Sequence, residues 1–273
     1  MPPSDGANDH DRRDTSVRYD VNKIAFADES RQDASRSAPV EMPVNIVYAP
    51  VPFAVMMATP QDLEDFAVGF SFTEGIVDSI DDIRGIAVED GEQGLKLIVS
   101  LSSEKLQRHL ARSRDRTGGI DDRNPVAAAR ANGAFAVAAQ AIRRALGDLS
   151  QAQALNAITG AVHAAAWCGL DGDILAVRED VGRHNALDKL IGHLLRGKVD
   201  PLSGFLVITS RCSFEMVTKA AAFGARAVVA VSAPTSLAIE RARLHHITLV
   251  AIARDDSALI FHGGDAIVTG DIT

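Results

Sequence analysis

The sequence is short of several things, and each shortage excludes something. Cys168 and Cys212 are its only cysteines in 273 residues, too few for a disulfide framework and in keeping with a reducing compartment. No apolar run approaches the roughly 20 residues that a membrane span needs. An excess of base is missing too. Lys and Arg number 28 against 36 Asp and Glu, a net charge of −8, which argues against general binding to nucleic acid or to an anionic membrane surface. Met1 to Asp20 is polar and charged, without the apolar stretch of a signal peptide. The expectation is a cytoplasmic protein with neither nucleic acid nor membrane as partner. Nucleotide and metal signatures are absent as well. There is no Gly-x-Gly-x-x-Gly and no His-x-Glu paired with Pro-Cys-x-x-Cys. Gly192 to Lys198 has phosphate-loop spacing, but it ends a helical pattern, and Val199 stands where Ser or Thr would bind magnesium. No metal site is expected.

What is present is an ordinary apolar content of 47%, enough for one large or two modest domains. Residues 1–38 mix Asp, Arg, Ser and Asn with few large apolar side chains and read as a mobile tail, with room for a short ordered piece around Val21 to Phe26. Residues 39–112 read as a small α+β domain. Val44 to Tyr48 and Phe53 to Met57 are strands, Thr59 caps a helix that Gly75 ends, and Ile83 to Val88 and Leu95 to Leu101 form a second strand pair. Residues 113–150 read as a loop and a connecting helix, Ala127 to Leu146. A further helix is expected from Ala152 to Trp167. From 151 to 273 the pattern is α/β. Strands Ile174 to Val177, Phe205 to Thr209, Val228 to Val231 and Thr248 to Ile252 alternate with helices Leu187 to Leu195, Phe214 to Phe223 and Ser236 to Leu244. Such alternation implies a mostly parallel sheet.

Each of those strands ends in polar, helix-opening residues: Arg178-Glu179-Asp180, Ser210-Arg211-Cys212-Ser213, Ser232-Ala233-Pro234-Thr235 and Arg254-Asp255-Asp256. In a parallel sheet the four clusters converge on one edge, where helix N-termini together with Arg178, Arg183, Arg211 and Arg254 would make a crevice for phosphate, pyrophosphate or carboxylate. The densest cluster is Arg178-Glu179-Asp180-Val181-Gly182-Arg183-His184-Asn185-Ala186-Leu187-Asp188-Lys189. In it Asp180, Arg183, His184 and Asn185 are either a ligand grip or a capped, salt-bridged turn. His163 faces the same crevice or is a satisfied core histidine. Glu64 and Asp65 read as a solvated helix face, as do Arg143 and Arg144, and His245 and His246 as surface residues at a helix end.

That twelve-residue run resembles the signature of the FdhD family of formate dehydrogenase accessory sulfurtransferases. Ser210 to Val217, Val231 to Ala238, Thr159 to Ala165 and Asp62 to Phe70 resemble further motifs of the family, in the family's order, and the similarity covers about Val40 to His262. The resemblance implies a C-terminal domain similar to cytidine deaminases and a homodimer. It implies a sulfur carrier that receives sulfur from a cysteine desulfurase. The sulfur passes to the molybdenum bis(molybdopterin guanine dinucleotide) cofactor of formate dehydrogenase, bound as a client. It also implies that Ile252, Ala253, Arg254, Asp255, Asp256 and Ser257 form the cofactor-binding segment, with Ser210, Arg211, Ser232, Pro234 and Thr235 on neighbouring loops. The family more often has Gly and Arg where this chain has Asp256 and Ser257.

One departure stands out. The family carries sulfur on a Cys-x-x-Cys, and the matching segment here, Arg116 to Asn124, has no cysteine. A persulfide needs a thiolate. Cys212, beside Arg211 at a strand-to-helix junction that favours a thiolate, is the substitute; the other reading is a small residue tucked at a helix start. Cys168, beside Trp167, reads as packing. The alternatives that follow are a cofactor-binding chaperone or regulatory paralogue without sulfur transfer, and an enzyme using Cys212 as nucleophile with His184 or His163 as base.

Overall fold

The computed structural model describes residues 13–114, 134–254 and 256–270. The expected loop at Arg116 to Asn124, and Asp255, lie outside the described residues.

Where a tail is expected, β1 (Ser16–Ile24) and β2 (Arg31–Pro39) pair as an antiparallel ribbon. Val17, Tyr19 and Val21 alternate onto one of its faces and remain well exposed. That correction has a plain cause. Nine cross-strand pairs, with Arg18 bonded to Ser35 and Asn22 to Asp33, order a segment too polar to bury.

Next comes a four-stranded sheet of β3 (Met42–Tyr48), β4 (Val51–Ala58), β5 (Ile83–Gly91) and β6 (Gly94–Leu101), in the order β4-β3-β6-β5. Between its two hairpins lies α1 (Leu63–Thr73), and α2 (Ser103–Arg114) follows it. The helix expected to be capped by Thr59 starts three residues later than such a cap implies, at Leu63, with Asp62 at φ 54° as its N-cap residue. Thr59 is fully buried and bonds elsewhere. Gly75 does take the left-handed conformation (φ 66°) just past the helix end.

The strand β7 (Val137–Ala138) pairs with β14 (Ile267–Val268), and α3 (Ala139–Ala152) and α4 (Ala154–Thr159) lead to the large sheet. That sheet comprises β8 (His163–Gly169), β9 (Ile174–Asp180), β10 (Gly204–Ile208), β11 (Ala227–Ala230), β12 (Thr248–Ala251) and β13 (Leu259–His262), in the order β13-β12-β11-β10-β8-β9. It carries α5 (Arg183–Arg196), α6 (Phe214–Phe223) and α7 (Ser236–Leu244).

Two expectations are corrected here. The sheet is mixed rather than mostly parallel. β10-β11 and β11-β12 are parallel, whereas β10-β8, β8-β9 and β12-β13 are antiparallel. The reason is the second correction: the Ala-rich stretch expected to be helical to Trp167 becomes β8. Its side chains pack between layers on both faces, the small Ala166 and Cys168 on one and Ala165 with the large Trp167 on the other. A strand buried on both faces has no polar alternation to betray it.

Both faces of the large sheet are covered. One core joins Leu206 and Ile208 of β10 to Leu187, Leu190 and Ile191 of α5, and extends to Phe66 and Phe70 of α1 and Ile46 of β3. A second sets Phe205 and Val207 against Ala141, Ala145 and Leu149 of α3. The first core crosses from the small sheet to the large one through the α1–α5 pair. There Gly69 and Gly192 bring the backbones close: a Cβ on Gly69 would lie 1.7 Å from the Asp188 carbonyl oxygen, and one on Gly192 1.8 Å from that of Asp65.

Asp65 clamps that seam and is buried, not the solvated residue expected. Arg178 donates to it at 2.7 Å and Arg196 at 2.6 Å, and His193 lies 3.6 Å away. Burial pushes its carboxyl up, but bonding to His193 and the charge and hydrogen bonds of Arg178 and Arg196 outweigh this and hold it down at about 2. With a folded value below the unfolded 3.8, the stabilisation is full above pH 4 and is lost as pH falls towards 2. It amounts to about 2 kcal/mol. The stability deficit of Asp65→Asn, measured by urea unfolding, should therefore shrink by roughly two thirds of that amount between pH 5 and pH 2.5.

Candidate functional site

β8 is antiparallel to both its neighbours, so β9 runs in the same direction as β10, β11 and β12. The C-terminal ends of these four strands, and the start of β8 at His163, therefore share one edge of the sheet. Hydrogen bonds join the loops along it. Thr209 N–H donates to the Ala164 carbonyl at 3.1 Å, Thr235 N–H to that of Cys212 at 3.0 Å, and Ile252 N–H to that of Ser232 at 3.2 Å. Arg254 reaches the Val231 carbonyl. The four clusters make one continuous rim.

The charged residues before the turn at Val181 are occupied with holding the fold. Arg178 turns away from the rim to Asp65 and to His193 Nδ1, 2.7 Å away. Glu179 accepts from the backbone N–H groups of Leu155 and Asn156, both at 2.8 Å, neutralising the positive end of α4. Asp180 is fully buried. Its Oδ1 accepts from Gly182 N–H (2.7 Å) and Asn185 Nδ2 (3.0 Å), and its Oδ2 from Thr59 N–H (3.0 Å) and Lys189 Nζ (2.7 Å). Asn185 also donates to the Met57 carbonyl and Lys189 to that of Thr59. Asp188 is tied to Thr73 and Lys219 in a second buried cluster. The expected ligand roles of Arg178, Asp180 and Asn185 are thus corrected, since their polar atoms already serve α1, β4 and the β4–α1 turn.

Two residues of the same run remain available. Arg183 opens α5, and its Nε is buried with no hydrogen-bond partner among the described residues. The N-cap residue of α5, Gly182, offers no side chain to the first helical N–H groups. His184 Nε2 lies 3.3 Å from Glu215 Oε2, and Ser213 Oγ donates to the same oxygen at 2.9 Å. This places the N-terminus of α6 beside that of α5. His163 sits opposite Asp180 at the head of β8, on a strand and not on the expected helix. Ser213 belongs to the second cluster read from the sequence, whereas Glu215 is given no role there, although a Ser followed by Glu two residues on, at a helix start, is the available signal.

Along the rest of the rim, Arg211 is exposed, Ser210 is buried with its hydroxyl on the Arg211 carbonyl, and Thr235 Oγ1 caps α7 by accepting from Ala238 N–H. Pro234 bridges to Cys212. Ile252 adopts φ 52°, unfavourable for a β-branched residue, between Ser232 and the buried Ala253. Ser257 bonds Asp256 and, through its carbonyl, Arg254 N–H.

Cys212 is fully buried, and burial pushes its thiol up to about 12, against the fall expected from Arg211 and the helix start. Cys168 is buried in the core under α3 and is likewise raised to about 12. Neither thiol is a ready nucleophile, and the reading of Cys212 as nucleophile loses its basis. Among the described residues no group of His, Cys, Asp and Glu is arranged to hold a metal ion, and no helix is long and apolar enough to cross a membrane.

The fold and this edge define the class: a mixed-sheet α/β protein with Arg183, Arg211 and Arg254 near its strand ends, where α5 and α6 open without a side-chain cap. Comparison narrows it. The FdhD/NarQ family model matches residues 39–268, and the chain belongs to that family. It is 44% identical over 246 residues to the sulfur carrier protein FdhD of Xanthomonas euvesicatoria pv. vesicatoria, covering 85% of this chain and 88% of the relative. It is also 44% identical over 230 residues to the protein of that name from Bordetella petrii, covering 81% of this chain and 83% of the relative. A crystal structure from Desulfotalea psychrophila, provisionally described as a formate dehydrogenase accessory protein, matches with a TM-score of 0.74 at 25% identity, over 93% of this chain and all of that one.

Proposed function

We propose that this protein is an accessory factor in formate dehydrogenase maturation, a sulfur carrier that holds the molybdenum bis(molybdopterin guanine dinucleotide) cofactor as cargo. The observation that carries the reading is 44% identity to sulfur carrier proteins FdhD over most of both chains. The rim suits such cargo: an arginine Nε without a partner and uncapped helix ends are what a pyrophosphate needs, and Arg183, Arg211 and Arg254 would hold it. Formate dehydrogenase is then the client, a cysteine desulfurase the sulfur donor and the cytoplasm the setting. A deaminase-like C-terminal unit and a homodimer follow from the same family reading. Expression in cells lacking their own protein of this family should restore formate dehydrogenase activity, and no restoration would overturn the proposal.

A second reading, cofactor binding without thiol chemistry, is favoured by one observation: both thiols are buried and poorly acidic. On this reading Cys212→Ala keeps full maturation activity and costs about 1 kcal/mol of stability, as small buried truncations do. Incubation with a cysteine desulfurase and labelled cysteine leaves both thiols unlabelled by mass spectrometry. Label on Cys212 together with lost activity in the variant would instead make that thiol the relay.

A further inference from the structure

We propose that β1 is a self-association edge: two copies of this chain pair their β1 strands antiparallel about a two-fold axis at Tyr19, joining two ribbons into one four-stranded sheet. The family reading of a homodimer names no face, and β1 supplies one. The inference goes beyond the proposed function because it rests on the ribbon alone and on no property of a cargo.

The edge is open. Among the described residues β1 pairs only with β2, and β2 is the strand that lies against α4. Bonds at the two ends of the ribbon show which backbone groups face outward. Val40 N–H donates to the Thr15 carbonyl and Ala25 N–H to that of Ser30, and the register between them is unbroken. Odd-numbered residues of β1 therefore turn their N–H and C=O groups towards β2. Those of Ser16, Arg18, Asp20, Asn22 and Ile24 point to the free edge, because the direction alternates along an antiparallel strand. A free edge on a strand of nine residues is a template for another strand, and a lone two-stranded ribbon is marginal in water.

The strand also complements itself. With Tyr19 on the axis, Arg18 lies opposite the second copy's Asp20, and Ser16 opposite its Asn22, each pair occurring twice. These are the outward-facing residues, so each pair exchanges backbone hydrogen bonds, and the opposite charges attract across the join. An axis at Arg18 or at Asp20 would set like charges face to face. One at Val21 would leave Arg18 opposite Ile24 and Asp20 opposite Asn22, with no ion pair. The favoured register unites the apolar groups as well. Val17 falls opposite Val21 and Tyr19 opposite Tyr19, on the face where Ala38 and Ala34 are the β2 partners of the two valines. Val17, Tyr19 and Val21 are 43%, 54% and 40% exposed in the single chain. Arg18, Lys23, Arg31 and Arg36 balance Asp20, Asp28, Glu29 and Asp33 along the ribbon, in a chain of net charge −8, so two ribbons meet without net repulsion.

Cross-linking of the full chain tests both the contact and its register. Cys168 and Cys212 are buried and stay out of the reaction. Tyr19 and its copy form a non-hydrogen-bonded pair with Cα atoms about 4.5 Å apart, within reach of a disulfide. Tyr19→Cys should therefore give a linked dimer on mild oxidation with copper phenanthroline. Val17→Cys and Val21→Cys should each stay unlinked alone, since each lies about 13 Å from its own copy, and should link when mixed. In light scattering, Arg18→Asp should weaken self-association about tenfold with the melting temperature held, and adding Asp20→Arg should restore it. A monomer at micromolar concentration would overturn the interface. A dimer indifferent to these charges, with none of the expected links, would place the contact on another face and overturn it equally. Restored formate dehydrogenase activity reads the cargo role alone, so either proposal can fail while the other stands.

Discussion

Asp180→Ala is expected to destabilise the protein by about 3–5 kcal/mol, the range for stranding one partner of a buried ion pair, and to lower its melting temperature by roughly 10 °C. Lys189 is fully buried and would be left with only the Thr59 carbonyl as a partner. The N–H groups of Thr59 and Gly182 and the Asn185 amide would lose their acceptor at the same time. Removing both charges, as in Asp180→Leu with Lys189→Met, should recover much of the deficit, because no uncompensated ion remains. Thermal and urea unfolding of the single and double variants measure this. A single-variant loss below about 1 kcal/mol, typical of exposed pairs, would contradict the structural role given to this carboxylate.

The second large effect lies at the α1–α5 seam. Gly69→Ala and Gly192→Ala should each cost about 3 kcal/mol, because the new methyl group meets a backbone carbonyl that cannot rotate away. Helix propensity alone predicts the reverse, a gain of about 1 kcal/mol. Gly147 provides the comparison. It lies within α3, and an added Cβ there meets nothing within 4 Å, so Gly147→Ala should stabilise by about 0.5–1 kcal/mol. Opposite signs at two kinds of helical glycine, read by urea unfolding, are the expected result. A gain at Gly69 or Gly192 would mean that the helices do not approach so closely.

Much of the C-terminal fold could be read from residue order. α6 and α7 begin and end where apolar spacing and their opening polar residues place them, and β10, β11 and β12 lie within a residue or two of their apolar runs. β8 could not be read this way, because alanine fits helix and buried strand alike. Its insertion between β9 and β10 turns the sheet mixed, yet leaves the four strand ends on one edge, so the inferred rim survives a wrong topology.

The division of labour inside residues 178–189 was equally hidden. Arg178, Asp180 and Asn185 find partners at Asp65, Thr59 and Met57, between 113 and 128 positions away. Local sequence cannot show whether a charge beside a turn points outward or into such a partner. Arg183 differs only in what the fold does not offer it.

Hydrogen–deuterium exchange of the full chain with and without GDP tests the shared rim most directly. Amides of residues 181–185, 209–215, 232–235 and 252–254 should all exchange more slowly with GDP bound, with the largest change at the start of α5. Slowing confined to one of these segments, or to none, would contradict a single cargo-binding edge.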